Sequence, residues 1–225
     1  MRKTAVTFCA TRRALGMAAL GAGAAALTAC AAVVGGSAVA VGMTAIDRRT
    51  TGSQVEDQGI ELRAASRITA VLGERVHVNV TSYNRQVLLS GEVGSAADRQ
   101  SAERLLREQP TVREVFNELV VAPFTSTLGE RSKDTLLTTQ VKASLINAKD
   151  LQATAFKVVT ERRVVYLMGI VTPREAQRAA EIARGVNGVA KVVRLLEVIS
   201  EADLARLRPP AAAAQPDADA PVGMQ

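Results

Sequence analysis

Hydrophobic and polar positions along the middle of this chain follow two periods, and those periods come in the same order twice. Val76, Val78 and Val80 recur at every second residue with His77 and Asn79 between them, the spacing of a strand with one buried face. Asn84-Arg85 then sits where a hairpin turns into the apolar run 87–93. Ahead of this hairpin, Ala64, Ile68, Val71 and Leu72 make a helical stripe, with Ser53 and Glu56 at capping-box spacing and Gly73 placed to close the helix. Behind it, 97–107 reads as a charged helix burying Ala102, Leu105 and Leu106, and an apolar strand over 115–120 closes the unit. The order then returns. Leu137, Val141 and Leu145 form a first-helix stripe, 157–160 and 164–171 a hairpin, 174–184 a second helix and 192–199 a last strand.

The repeat is visible in register. Val87-Leu88-Leu89-Ser90-Gly91-Glu92-Val93 aligns with Val165-Tyr166-Leu167-Met168-Gly169-Ile170-Val171, and the closing strands align after a one-residue gap. Two tandem α+β domains are predicted, over 53–123 and 129–200. Each runs helix, strand, strand, helix, strand, with two helices packed on one face of a three-stranded mixed sheet.

The N-terminus follows a different logic. Arg2, Lys3, Arg12 and Arg13 precede the apolar stretch 14–27 with no acidic residue among them, the layout of a secretory signal over 1–29. Leu27-Thr28-Ala29-Cys30 resembles the bacterial lipobox, which implies cleavage before Cys30 and a covalent lipid on its thiol. The competing reading, a retained span within 14–46, is weakened by a composition that is mostly Ala and Gly. Ala31 in place of the inner-membrane retention Asp implies the outer membrane. The segment 11–15 partly resembles a twin-arginine export signal. Residues 30–52 read as lipidated cysteine and tether, and 201–225 as a disordered Pro- and Ala-rich tail.

Charge and composition narrow the function. Without 1–29 the chain carries 24 basic and 22 acidic residues, so the net +6 of the full sequence belongs mostly to the signal. Residues 54–123 hold eight basic and ten acidic side chains, whereas 124–200 hold twelve and seven, so the second half should be drawn to anionic surfaces. Cys9 leaves with the signal and Cys30 with the lipid, and His77, the one histidine, reads as a solvated strand residue. No catalytic residue, metal site or cofactor other than the lipid is expected, and no small-molecule substrate. With few aromatic side chains for base stacking, nucleic acid is not expected either.

The glycine strands, the Ala-rich helix 174–184 and Gly185-Val186-Asn187-Gly188-Val189 before the last strand resemble the BON domain. In the first copy Glu108-Gln109-Pro110-Thr111-Val112 replaces the last of these elements. Together with the lipobox and Asp47-Arg48-Arg49-Thr50, the chain resembles the dual-BON outer-membrane lipoproteins. That resemblance implies a lipid-anchored protein on the periplasmic face that binds anionic phospholipid through the first helix of its second domain. It also implies support of outer-membrane integrity and of envelope remodelling at division. On a helical wheel Leu136 falls about 140° from the stripe of Leu137, Val141 and Leu145. It is therefore expected outside the core, with Lys133, Lys142 and Arg131 beside it as headgroup contacts. The alternative is an adaptor whose basic second domain recruits an envelope protein. Gly91, Gly169, Gly185 and Gly188 are read as structural, and Glu161-Arg162-Arg163 as solvated charges of a turn.

Overall fold

The pattern builds one unit twice. A computed structural model describes residues 47–73 and 76–207; the signal, Cys30 and most of the expected tether lie outside the described residues. The first unit comprises α1 (Thr51–Leu72), β1 (His77–Tyr83), β2 (Gln86–Val93), α2 (Ala96–Arg107), β3 (Glu114–Asn117) and the short β4 (Val120–Val121). The second comprises α3 (Leu128–Asn147), β5 (Phe156–Glu161), β6 (Val164–Val171), α4 (Pro173–Gly185) and β7 (Lys191–Val198). In each, the middle strand pairs antiparallel with its hairpin partner and parallel with the closing strand, so both sheets are mixed. The predicted 115–120 strand is interrupted, because Leu119 turns into the core between β3 and β4 while Glu118 N still donates to Leu89 O at 2.9 Å.

Several local expectations need correction. Thr50, not Ser53, caps α1, its hydroxyl accepting the Ser53 N–H at 3.1 Å, and Glu56 reaches Arg63 instead. The buried stripe runs in four-residue steps through Ile60, Ala64, Ile68 and Leu72, which leaves Val71 exposed on its flank, and Leu105 is only half-buried. Residues 201–207, expected as disordered tail, form α5 (Glu201–Leu207). Ser200 caps it, and Leu204 is buried.

Helices cover only one face of each sheet. On that face Val87, Leu89 and Val93 pack under α1 and α2, and Val165, Leu167 and Val171 under α3 and α4. The other faces meet each other: Tyr83, Leu88 and Phe116 of the first unit form one cluster with Tyr166, Met168, Ile170 and Leu195 of the second. The result is a helix, sheet, sheet, helix stack. It explains why the central strands read as continuous apolar runs instead of alternating ones, since they are buried on both faces.

A short strap holds the stack at one end. Arg48, just ahead of α1, crosses to the second unit, where its guanidinium takes both Glu175 carboxylate oxygens at 2.7 Å and Ile170 O at 2.8 Å. Arg49 stays with the first unit, bonded to Asp57 at 2.8 Å and stacked 4.2 Å from the Tyr83 ring centre. The expected tether is thus part of the fold from Asp47 onward. Burial pushes the Glu175 carboxyl up, but the Arg48 contacts and the Thr172 N–H outweigh it and leave it below the usual carboxylate range.

Both strand glycines mark close approaches. A Cβ on Gly91, which has φ +112°, would fall on the His77 carbonyl oxygen, and one on Gly169 would fall on that of Ala155, the equivalent position. Gly188 takes φ +101° after α4, and Gly185 sits in open space.

Two outcomes are expected. Arg48→Met strands a buried carboxylate and should cost about 3–5 kcal/mol in urea unfolding, most of it recovered when Glu175→Gln is added. Because the Glu175 value is depressed, its contribution is present above the usual carboxylate range and lost as pH falls through the folded value, so Arg48→Met should also flatten the acid side of the stability curve. Gly169→Val should lower stability by about 1–3 kcal/mol, since β5 must move away from β6.

Candidate functional site

The capping box of Thr127 and Glu130 starts α3, and Leu137, Val141 and Leu145 bury its inner face. Its outer face is unusual for a surface helix. Leu128, Leu136 and Ile146 are 80%, 64% and 70% exposed. At about 100° per residue, Leu128 and Ile146 lie on one line about 80° round from Leu136, with Ser132, Thr139 and Ala143 between them. The Ser132 and Thr139 hydroxyls turn back onto the carbonyls of Leu128 and Thr135, at 2.9 and 3.0 Å, so the strip presents few polar groups that need water. Lys133 flanks it on one side and Lys142 on the other, both exposed, and Phe124, 83% exposed, precedes the helix.

Beside Leu136 and Lys133 opens a cavity of about 520 Å³ whose far wall carries Arg162, Arg163 and Gly188. The two arginines arrive there because Asp134, on α3, accepts both of their backbone N–H groups at 2.8 and 2.9 Å and holds the β5–β6 turn in its positive-φ form. Asp57 does the same for Asn84 and Arg85 in the first unit, each at 2.8 Å. The Arg163 Nε–H is fixed on Gly188 O at 2.8 Å, with the guanidinium exposed. Of the four residues expected to contact lipid, Lys133 and Leu136 come together at this cavity. Lys142 lines a separate cleft of about 120 Å³ beside Ile146, and Arg131 a third one near His77.

At the rim between the two sheets lies a polar cluster that the sequence reading missed. Glu92 is fully buried, and its cross-strand neighbour His77 places Nδ1 3.0 Å from Glu92 Oε2 and 3.9 Å from Glu161 Oε1. Arg162 reaches Glu92 Oε1 at 3.2 Å, the Ser126 hydroxyl donates to the same oxygen, and Asn79 Nδ2 donates to Glu161 Oε2 at 2.9 Å. His77 is therefore no solvated strand histidine, and Glu161 no solvated turn charge: in each case the facing sheet covers the side to which strand alternation sends them. Burial pushes the Glu92 carboxyl up, but hydrogen bonds from Ser126, His77 and Arg162 outweigh it and leave it low. For Glu161 burial prevails, reinforced by Glu92 and Asp134, and its carboxyl is raised despite the Asn79 hydrogen bond.

Both units match one family description, the BON domain, over residues 61–123 and 133–200, more than half of the chain. The chain belongs to the BON-domain family. It is similar to the outer membrane lipoprotein DolP of Haemophilus influenzae, 38% identical over 157 residues that cover 69% of this chain and 81% of that one. The 21 kDa hemolysin of Actinobacillus pleuropneumoniae is 35% identical over 156 residues, 68% of this chain and 80% of that protein. The osmotically-inducible protein Y of Escherichia coli is 35% identical over 72 residues, 32% of this chain and 36% of that one. No helix among the described residues is long and apolar enough to cross a membrane. The exposed strip and the cavity beside it both belong to the second BON domain, and the rim cluster joins it to the first.

The raised Glu161 carboxyl sets a stability expectation. Its ionisation is disfavoured in the fold, so stability that is present at acid pH is lost as pH rises through the folded value. Glu161→Gln keeps an acceptor for Asn79 and removes that loss. Its melting temperature at pH 7 should equal or exceed the parent's, the two converging at pH 4.

Proposed function

We propose that the second BON domain docks the outer strip of α3 onto anionic phospholipid at the periplasmic face of the outer membrane. The observation that carries this reading is the juxtaposition of Leu128, Leu136 and Ile146, exposed along one side of α3, with Lys133 and the exposed Arg163 guanidinium at the adjoining cavity, where Arg162 is paired with Glu92 and Glu130 is the exposed acid. A helix with an apolar strip and a basic flank lies in the plane of a bilayer interface. Burying most of a Leu side chain stabilises by about 1.5–3 kcal/mol, and each basic residue near an anionic surface adds about 1 kcal/mol. These terms are weak singly and sufficient together, more so when a lipid on Cys30 keeps the domain near the membrane and raises its effective concentration there. The lipobox supports that anchor, as does the similarity to the outer membrane lipoprotein of H. influenzae. The role is binding without catalysis, and it supports outer-membrane integrity, including where the envelope is remodelled at division.

Sedimentation with vesicles, with and without anionic lipid, tests the reading. Leu136→Glu should abolish binding while the melt stays near the parent's, because the side chain touches no core cluster. Lys133→Gln should weaken binding and reduce its salt dependence. A folded Leu136→Glu variant that still sediments with anionic vesicles sinks the lipid reading in favour of the adaptor, in which the same basic face recruits an envelope protein.

A further inference from the structure

The rim cluster answers a different question from the lipid face. His77, Glu92 and Glu161 each offer one ligand atom within 4.8 Å of the others, two donors from the first domain and one from the second. Zinc–ligand bonds of about 2.0–2.2 Å in a tetrahedron place neighbouring donors about 3.3–3.6 Å apart. The His77 distances of 3.0 and 3.9 Å bracket that range.

How the remaining atoms are engaged makes this more than a pair of acids near an imidazole. The Glu92 oxygen turned away from His77 is held by Ser126 and Arg162, and the outer oxygen of Glu161 is held by Asn79. The Asn79 amide also lies 3.3 Å from His77 Nε2. Both carboxylates are thus oriented through their second oxygen, the arrangement that fixes ligands around bound metals, whereas His77 Nε2 faces the donor side of the Asn79 amide. A cleft of about 390 Å³ leads to His77 and Glu161 from solvent.

We propose that His77, Glu92 and Glu161 form a site for a divalent transition-metal ion, of the class represented by zinc, that joins the two BON domains. The ion replaces the proton His77 shares with Glu92 and offsets the second carboxylate, so its binding favours the docked arrangement of the sheets.

Zinc titration by calorimetry, with the whole protein carrying Cys9→Ser and Cys30→Ser so that no thiol competes, is the test. One equivalent should bind in the micromolar range or tighter, and saturating zinc should raise the melting temperature. Cobalt should give a visible spectrum without the thiolate charge-transfer band. His77→Ala and Glu161→Gln should each weaken zinc binding at least 10-fold, whereas Glu181→Gln, far from the cleft on α4, should not. The melting temperature of each variant without metal, read beside its binding, separates a lost ligand from a lost fold. No binding by the parent overturns the proposal. So does binding that persists unchanged in Glu161→Gln or His77→Ala.

Discussion

A three-stranded sheet that is apolar on both faces cannot be closed by two helices on one side, and the rest of this structure depends on how that requirement is met. Each BON unit leaves an apolar sheet face without a helix, and the second copy covers it: Leu88 and Tyr83 against Tyr166, Met168 and Ile170. Duplication therefore supplies a core that one unit alone lacks. Full burial of a Leu- or Met-sized side chain is worth about 1.5–3 kcal/mol, so a cluster of this size outweighs the hydrogen bonds around it. The interface between the domains is buried as a third core cluster beside the one within each unit.

Joining the sheets this way traps polar groups at the rim, and most of the buried polar contacts described above answer that cost. Glu92 faces the partner sheet because strand alternation puts it on the same side as Leu88, two and four residues along the strand from Ser90 and Leu88. Once there it needs donors, and Ser126, Arg162 and His77 provide them. At the opposite end Arg48 meets Glu175, which already serves the capping box of α4, so one carboxylate satisfies a helix terminus and anchors the strap. The repeat is conserved where the backbone needs it and relaxed elsewhere. Asp57 and Asp134 hold equivalent turns, whereas Ser82 and Tyr83 in the first unit give way to Thr160 and Glu161 in the second. That relaxed position is where the acidic cleft lies.

The periodicity was enough to read both units, the order of their elements and the α+β class, because stripes such as Leu137, Val141, Leu145 and the hairpin valines respond to local burial alone. Leu136 was legible for the same reason: its angle on the helix excludes it from the stripe, and it is 64% exposed. What periodicity does not carry is contact between distant segments. His77 alternates with valines and so reads as solvent-facing, until a second sheet is laid over that face. Arg162 and Arg163 read as turn charges, since nothing local shows that Asp134, 28 residues earlier than Arg162, holds their amides at a cavity that Lys133 also lines. One signal was available: aspartates at matching places in both first helices, each upstream of a two-residue hairpin turn. The strap was visible as a motif, but its division of labour, Arg48 to one domain and Arg49 to the other, exists only in the fold.

That division bears on how the folded unit presents a face. The chain enters the folded unit at Asp47, and the next two residues grip different domains. Arg48 is bidentate and buried, and a fork of two parallel charge-assisted hydrogen bonds restrains rotation as well as distance. With the sheets locked face to face, α3 therefore has a set position relative to the point where the preceding segment joins. For a weak apolar and electrostatic contact of the kind proposed for α3, such preorganisation matters more than further contact area. Every degree of freedom left between the two domains would have to be lost on binding. A strap that removes that freedom during folding would leave the small favourable terms proposed at Leu136 and Lys133 to act on association itself.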